Sequence, residues 1–175
     1  MLRRSLLTSA IAASLLTTFS LPAFATQVYE TDLVIIGGGL SGLAAAQSAV
    51  DQGAKPIVLE KEAALGGGGN FPEGSLGVGT RYQKEHNINT TVDQVLTAAL
   101  QYHHYRADPH VLRVLIEESG KTIDWVMDKG AQMRGIRTMY PKDESLMTWH
   151  LFKGGAAGII QRFAKEVRAK GGTIL

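Results

Sequence analysis

Three glycines, Gly37, Gly39 and Gly42, stand between a short run of branched apolar residues and an alanine-rich stretch, and this placement constrains the chain more than any other feature. Asp32 to Ile36 (DLVII) is almost wholly apolar and stops at glycine, the pattern of a strand buried on both faces of a parallel sheet. Leu40 to Gln52 holds good helix formers and no proline, and Gly53 follows where a left-handed cap is wanted. Pro56 then leads into Ile57, Val58 and Leu59, a second branched run that ends at Glu60. Strand, helix and strand in this order predict a right-handed crossover, and with it an α/β fold around a central parallel sheet.

A G-x-G-x-x-G pattern alone is weak, but here it follows a strand and opens a helix. An acidic residue also ends the next strand, about twenty positions on. These are the marks of a Rossmann-like dinucleotide-binding unit. In that reading Gly37 permits a tight turn, Gly39 lets the backbone approach a diphosphate, and Gly42 allows helix and strand to pack closely. The N–H groups of Leu40, Ser41 and Gly42, with the positive end of the helix dipole, face the diphosphate. Glu60 accepts hydrogen bonds from the ribose hydroxyls of the adenosine half, and its charge repels a 2′-phosphate, which disfavours NADP.

This unit does not separate NAD from FAD. The stretch from Gly66 to Gly79 does, with seven glycines in fourteen residues. Each glycine inside a helix or strand costs about 0.5 to 1 kcal/mol, so the stretch is expected to be a loop with a purpose or a disordered one, not a regular helix or core strand. FAD extends past its diphosphate into a ribityl chain and a flat ring that more backbone must approach. The expected cofactor is therefore FAD, with an NAD-dependent dehydrogenase a disfavoured alternative.

Downstream the pattern is helical. Thr91 and Gln94 form a capping box for a helix to about Tyr102, and Asp108 with Pro109 opens the next, striped by Val111, Leu112, Leu115 and Ile116. Ile123, Trp125, Val126 and Met127 mark a third, closed by Gly130. Residues 131–153 show no period and are expected to be irregular. Ile159, Ile160, Phe163 and Val167 share one face of a later helix, and Thr173 to Leu175 reads as the opening of a strand. The neighbours His103 and His104 point about 100° apart on a helix and cannot share an ion. Trp125 and Met127 read as core, and no metal site is expected.

Net charge is +2, with Lys and Arg scattered, so no nucleic-acid partner is expected. The chain lacks cysteine, which removes disulfides, thiolate metal sites and cysteine nucleophiles. Residues 1–25 read as a signal peptide: Arg3 and Arg4, an uncharged stretch from Ser5 to Ala25, and an Ala23-Phe24-Ala25 cleavage site. An uncleaved anchor is the alternative. The paired arginines also resemble the twin-arginine signal of proteins exported already folded. The mature part, 26–175, is then expected to be exported to the periplasm, without stable membrane insertion after cleavage.

The mature chain resembles the N-terminal part of the flavoprotein subunits of fumarate reductase and succinate dehydrogenase, especially their soluble periplasmic relatives. The resemblance rests on the fingerprint, on Glu60-Lys61, on Gly66-Gly67 and on Gly74. It implies that Lys61 lies beside the adenosine, that Gly67, Gly68, Gly69 and Asn70 wrap the diphosphate and ribityl region, and that Gly74 passes the isoalloxazine. Gly68 stands where that family has asparagine or a histidine joined covalently to FAD, so non-covalent FAD is expected. Ser75 replaces a second glycine. His150 with Gly154 and Gly155 is similar to a further segment near the flavin, although a lone histidine is more often solvated or structural.

The resemblance further implies an oxidoreductase that passes a hydride through FAD to or from a small, carboxylate-bearing substrate, with an unknown electron donor. The family's substrate-side residues lie beyond this length, so the catalytic residues are unknown and the domain is expected to be incomplete at the C-terminus. The alternative is a truncated, non-catalytic FAD-binding remnant or assembly partner.

Overall fold

The computed structural model describes residues 27–139 and 146–175. The signal-peptide reading falls on residues outside these. The chain divides into two compact units, Met1–Glu30 and Thr31–Leu175. In the first, residues 27–30 form no helix or strand; all the elements below belong to the second.

The crossover forms as the spacing predicts, with β1 (Leu33–Ile36), α1 (Leu40–Asp51) and β2 (Pro56–Leu59). β1 and β2 run parallel, with Ile35 opposite Val58. β6 (Thr173–Ile174) joins the far side of β2, giving the order β1-β2-β6. Central parallel strands predict burial on both faces, and β2 meets this with Ile57 and Val58 buried. β1 does not: Val34 is 53% and Ile36 87% exposed. It is an edge strand here, because burial depends on neighbours that a strand's own composition cannot report.

The glycine-rich stretch is more ordered than expected. It holds a 3-10 turn at Gly67–Asn70 and a short strand, β3 (Gly74–Leu76). A helix with no forecast, α2 (Arg81–Glu85), follows, opened by a full capping box of Thr80 and Gln83. α3 (Val92–Tyr102) carries the predicted box of Thr91 and Gln94. The next two predicted helices are one, α4 (Pro109–Asp128), capped by Asp108. Its forecast stripe splits, with Ile116 buried but Val111 and Leu115 exposed.

Residues 131–153, expected to be irregular, contain β4 (Met133–Thr138) and β5 (Met147–Phe152). They pair antiparallel, and β3 adds to the other side of β5 with Ser75 opposite His150. α5 (Gly155–Ala169) packs on α1 and carries the predicted apolar face.

One core joins Leu43 of α1 to Ile159, Ile160 and Phe163 of α5, with Ile123 and Val126 of α4 and Phe152 of β5; Trp125 and Met127 pack against it, half-buried. A second joins Ala46 and Val50 to Val58 and Val167, so small residues on α1 bring it close to sheet and helix alike. Asp51 at the end of α1 binds Lys129 at 2.5 Å and Lys170 at 2.7 Å, tying α1 to the ends of α4 and α5. These contacts fix α1 over β1 and β2. Among the described residues no helix is long and apolar enough to cross a membrane, and no acidic or histidine cluster could hold a metal.

Candidate functional site

The three fingerprint glycines have three different reasons to be glycine. Gly37 lies at φ +101°, a conformation side chains rarely adopt. A Cβ on Gly42 would sit 1.9 Å from the carbonyl oxygen of Gly37, so the start of α1 rests directly on the turn. Gly39 has no such internal reason. Its φ is −71°, open to any residue, and a Cβ there would meet only the Gly66 carbonyl at an ordinary 3.8 Å. It is also the residue before the helix, where Ser, Thr or Asp would cap better. No side chain caps α1 and no acidic residue lies in its first turn. The first N–H groups of a helix have no partner within it, so this end is open to an anion.

The second glycine cluster folds back against the first. Gly66 N–H donates to the Gly38 carbonyl at 2.9 Å, and Gly39 pairs with Gly66 as an isolated parallel bridge. Gly66 lies at φ +108°, with the Asn70 carboxamide 2.5 Å from where its Cβ would be. Asn70 Nδ2 donates to the Leu65 carbonyl at 2.9 Å, which clips the loop shut. A Cβ on Gly69 would press on Leu40 at 3.0 Å, while Gly67 and Gly68 face open space.

Glu60 directly follows β2 beside this turn. Its Oε2 accepts from Gly38 N–H at 2.7 Å and its Oε1 from Glu62 N–H at 2.9 Å. The Glu62 bond, then the Gly38 bond, holds the carboxyl below the usual carboxylate range, so it stays an anion. Each oxygen has a second lone pair for a further donor. Ile36, Gly37, Leu59, Glu60, Lys61, Glu62, Gly67 and Leu175 line a cavity of about 840 Å³. Lys61 is largely exposed at its rim, 3.4 Å from Glu62.

The structure therefore brings Gly37, Glu60, Lys61 and Gly67 onto one cavity, with Gly39 bridged to the second loop. Gly74 lies on the other sheet, where a Cβ would be 2.0 Å from the His150 carbonyl. β5 itself thus requires a glycine at Gly74. Sequence reading missed Ile36, Leu59, Glu62 and Leu175 as cavity lining. The first two end strands immediately before predicted site residues and were findable by position; Leu175 comes from a third strand distant in sequence.

His150 is not solvated: it is fully buried. Its Nδ1 lies 3.0 Å from the Thr148 carbonyl, which can only accept, so Nδ1 carries the proton and Nε2 accepts from the Thr80 hydroxyl at 2.9 Å. Burial pushes its pKa below 6.5, partly offset by the Thr148 bond and by Asp124, which Arg81 also engages. Tyr82, stacked on His86, meets the ring edge-on. Acid thus protonates the unfolded chain before the folded one. The stability from neutral His150 is complete above pH 6.5 and is lost as pH falls towards the folded-state value. Thermal midpoints should decline through this window in the wild type and decline less in His150→Gln; equal slopes would contradict this assignment.

The family profile described as FAD binding domain matches residues 32–170. The chain belongs to this family. FAD is accordingly the cofactor of the FAD-binding domain, and the open helix start, ionised Glu60 and adjoining cavity suit its adenosine diphosphate half.

Vinyl phenol reductase of Lactiplantibacillus plantarum is 35% identical to the domain over 129 residues, covering 74% of this chain and 26% of that protein. The NADH:fumarate oxidoreductase of Klebsiella pneumoniae is 31% identical over 143 residues, covering 75% of this chain and 15% of that protein. The open conformation of a flavocytochrome c3 fumarate reductase superposes with a TM-score of 0.69 at 20% identity, covering 97% of this chain and 28% of that one. At that identity the likeness is one of fold. The chain spans about a quarter or less of the length of these relatives.

Proposed function

We propose that this FAD-binding domain grips the adenosine diphosphate half of FAD as part of an oxidoreductase of the fumarate reductase type, exported to the periplasm and acting on a small carboxylate-bearing substrate. When bound, FAD supplies hydride transfer. The chain's own residues bind and orient it. The N–H groups of Leu40, Ser41 and Gly42 receive the diphosphate, Glu60 takes the ribose hydroxyls, and Lys61 flanks the adenosine. Gly67, Gly68, Gly69 and Asn70 run along the diphosphate and ribityl chain, and β3 at Gly74 lies beside the ring. An electron donor completes the turnover.

The observation that carries this reading is Gly39, a glycine that the fold itself does not require, placed where a diphosphate would pass. The names of the relatives, a vinyl phenol reductase and a fumarate oxidoreductase among them, support the reaction class. Gly68, in the place of a covalently linked histidine, supports non-covalent attachment. Acid precipitation of the loaded protein should therefore leave all the flavin in the supernatant, and colour retained in the pellet would contradict this.

Glu60→Gln keeps an oxygen for Gly38 N–H but loses the charge that strengthens bonds to ribose. Charge-assisted hydrogen bonds contribute about 1.5 to 3 kcal/mol each. FAD affinity should fall about tenfold or more, measured by flavin fluorescence titration. Unchanged affinity would remove Glu60 from the site.

A further inference from the structure

We infer that His150 is a positioning residue for the flavin ring, acting through the backbone of β3. The inference rests on the reading that β3 lies beside the ring. β3 is a three-residue edge strand on β5, and its N-terminal end is tied by backbone bonds, Phe152 N–H to the Glu73 carbonyl at 3.1 Å and Ala156 N–H to the Pro72 carbonyl at 2.9 Å. Its C-terminal end runs into a turn that packs on the His150 imidazole. The carbonyl of Thr148 accepts from both Gly77 N–H, at 2.9 Å, and His150 Nδ1–H, at 3.0 Å. On its other side the ring accepts from the Thr80 hydroxyl, and that hydroxyl accepts from Gln83 N–H at 3.0 Å. Gln83 returns the chain to β5 by donating from Nε2 to the Met147 carbonyl at 2.7 Å.

The ring is therefore a strut between the strand and both ends of the Gly77 to Thr80 turn. The fit leaves no slack: a Cβ on Gly77 would lie 2.8 Å from the ring, and one on Gly74 would strike the His150 carbonyl. A second anchor comes from α4, where Ser119 Oγ accepts from Val78 N–H at 3.1 Å and Gly120 admits the Val78 carbonyl. α4 thus holds one side of the turn and His150 the other. Without the ring, the turn after β3 loses its packing support, and the Thr80 hydroxyl loses its nearer acceptor and keeps only Gln83 Oε1 at 3.4 Å.

The test uses the flavin-loaded protein and three variants: His150→Leu, which removes ring and bonds; His150→Gln, which keeps an acceptor for Thr80; and Phe163→Leu, a core change that leaves the bonds of His150 in place. Thermal midpoints are measured for each, and the visible flavin band and the rate of flavin release are recorded at a temperature where all remain folded. His150→Leu should shift the band and release flavin at least about tenfold faster than the wild type, with His150→Gln intermediate. Phe163→Leu should lose stability yet keep the wild-type band. If His150→Leu does not fold, His150→Gln carries the comparison. A band and release rate in the His150 variants no different from those of Phe163→Leu would reduce the residue to a generic core group and overturn the inference. A wild-type protein that takes up no flavin would instead overturn the underlying reading, and this inference with it.

Discussion

Gly39→Ser should abolish flavin retention while leaving the fold as stable as the wild type. Serine is a better helix cap than glycine by a few tenths of a kcal/mol. The backbone at this position suits any residue, and the added Cβ meets only one ordinary contact. Nothing in the chain therefore resists the change. A bound diphosphate does resist it, because the new side chain occupies the space through which the phosphates reach the N–H groups of α1. FAD affinity should fall by about a hundredfold, corresponding to the loss of about 3 kcal/mol of hydrogen bonding. The measurement is a pair: thermal unfolding of the apoprotein and FAD titration. Retained affinity would contradict the placement of the diphosphate, and a large drop in stability would show that Gly39 serves the fold.

Gly42→Ala should instead damage the fold. Its Cβ would lie 1.9 Å from the Gly37 carbonyl oxygen, a backbone atom in a turn that Gly37 N–H ties to the Leu59 carbonyl at 2.7 Å. Relief requires α1 to lift from the turn, which pulls Leu43 and Ala46 out of two cores. Overpacking against immobile atoms costs about 3 kcal/mol. The thermal midpoint should fall by about 10 °C, or the protein should fail to accumulate folded. The two glycines are three residues apart in one motif, yet one variant should spare the fold and the other damage it. A Gly42→Ala protein as stable as the wild type would contradict the close packing of α1 on the Gly37 turn.

Much of this was legible in the sequence, and the parts that were not have separate physical causes. The crossover could be read because its signals are local: a branched run, a glycine turn, an alanine-rich helix and a closing acidic residue. The burial of β1 could not, because exposure of Val34 and Ile36 depends on what lies beside and above the strand. β5 was illegible for a different reason. Its buried residues alternate as Thr148, His150 and Phe152, while Met147, Trp149 and Leu151 are only half-buried. Two of the three inward positions are polar, which inverts the usual pattern of a half-buried strand. Thr80, far off in sequence, satisfies His150, whereas the buried Thr148 hydroxyl has no hydrogen-bond partner among the described residues.

α4 was read as two helices with Ser119 and Gly120 between the apolar stretches. Both have roles in tertiary contact rather than in ending a helix: Ser119 holds the Val78 amide and Gly120 makes room for its carbonyl. An isolated glycine inside a helical pattern is a signal of close approach. At the site itself, the residues that read correctly belong to one contiguous motif, whereas Leu175 enters the cavity only because a third parallel strand brings it there.

On the proposed reading, the glycine turn and Glu60 hold the adenosine diphosphate half of FAD. Competition measures this directly: FAD-loaded protein is challenged with ADP, and apoprotein is separately offered FMN, which has the flavin but not the adenosine. ADP should displace FAD, and FMN should bind far more weakly than FAD. FMN binding as tightly as FAD, with ADP unable to compete, would contradict it.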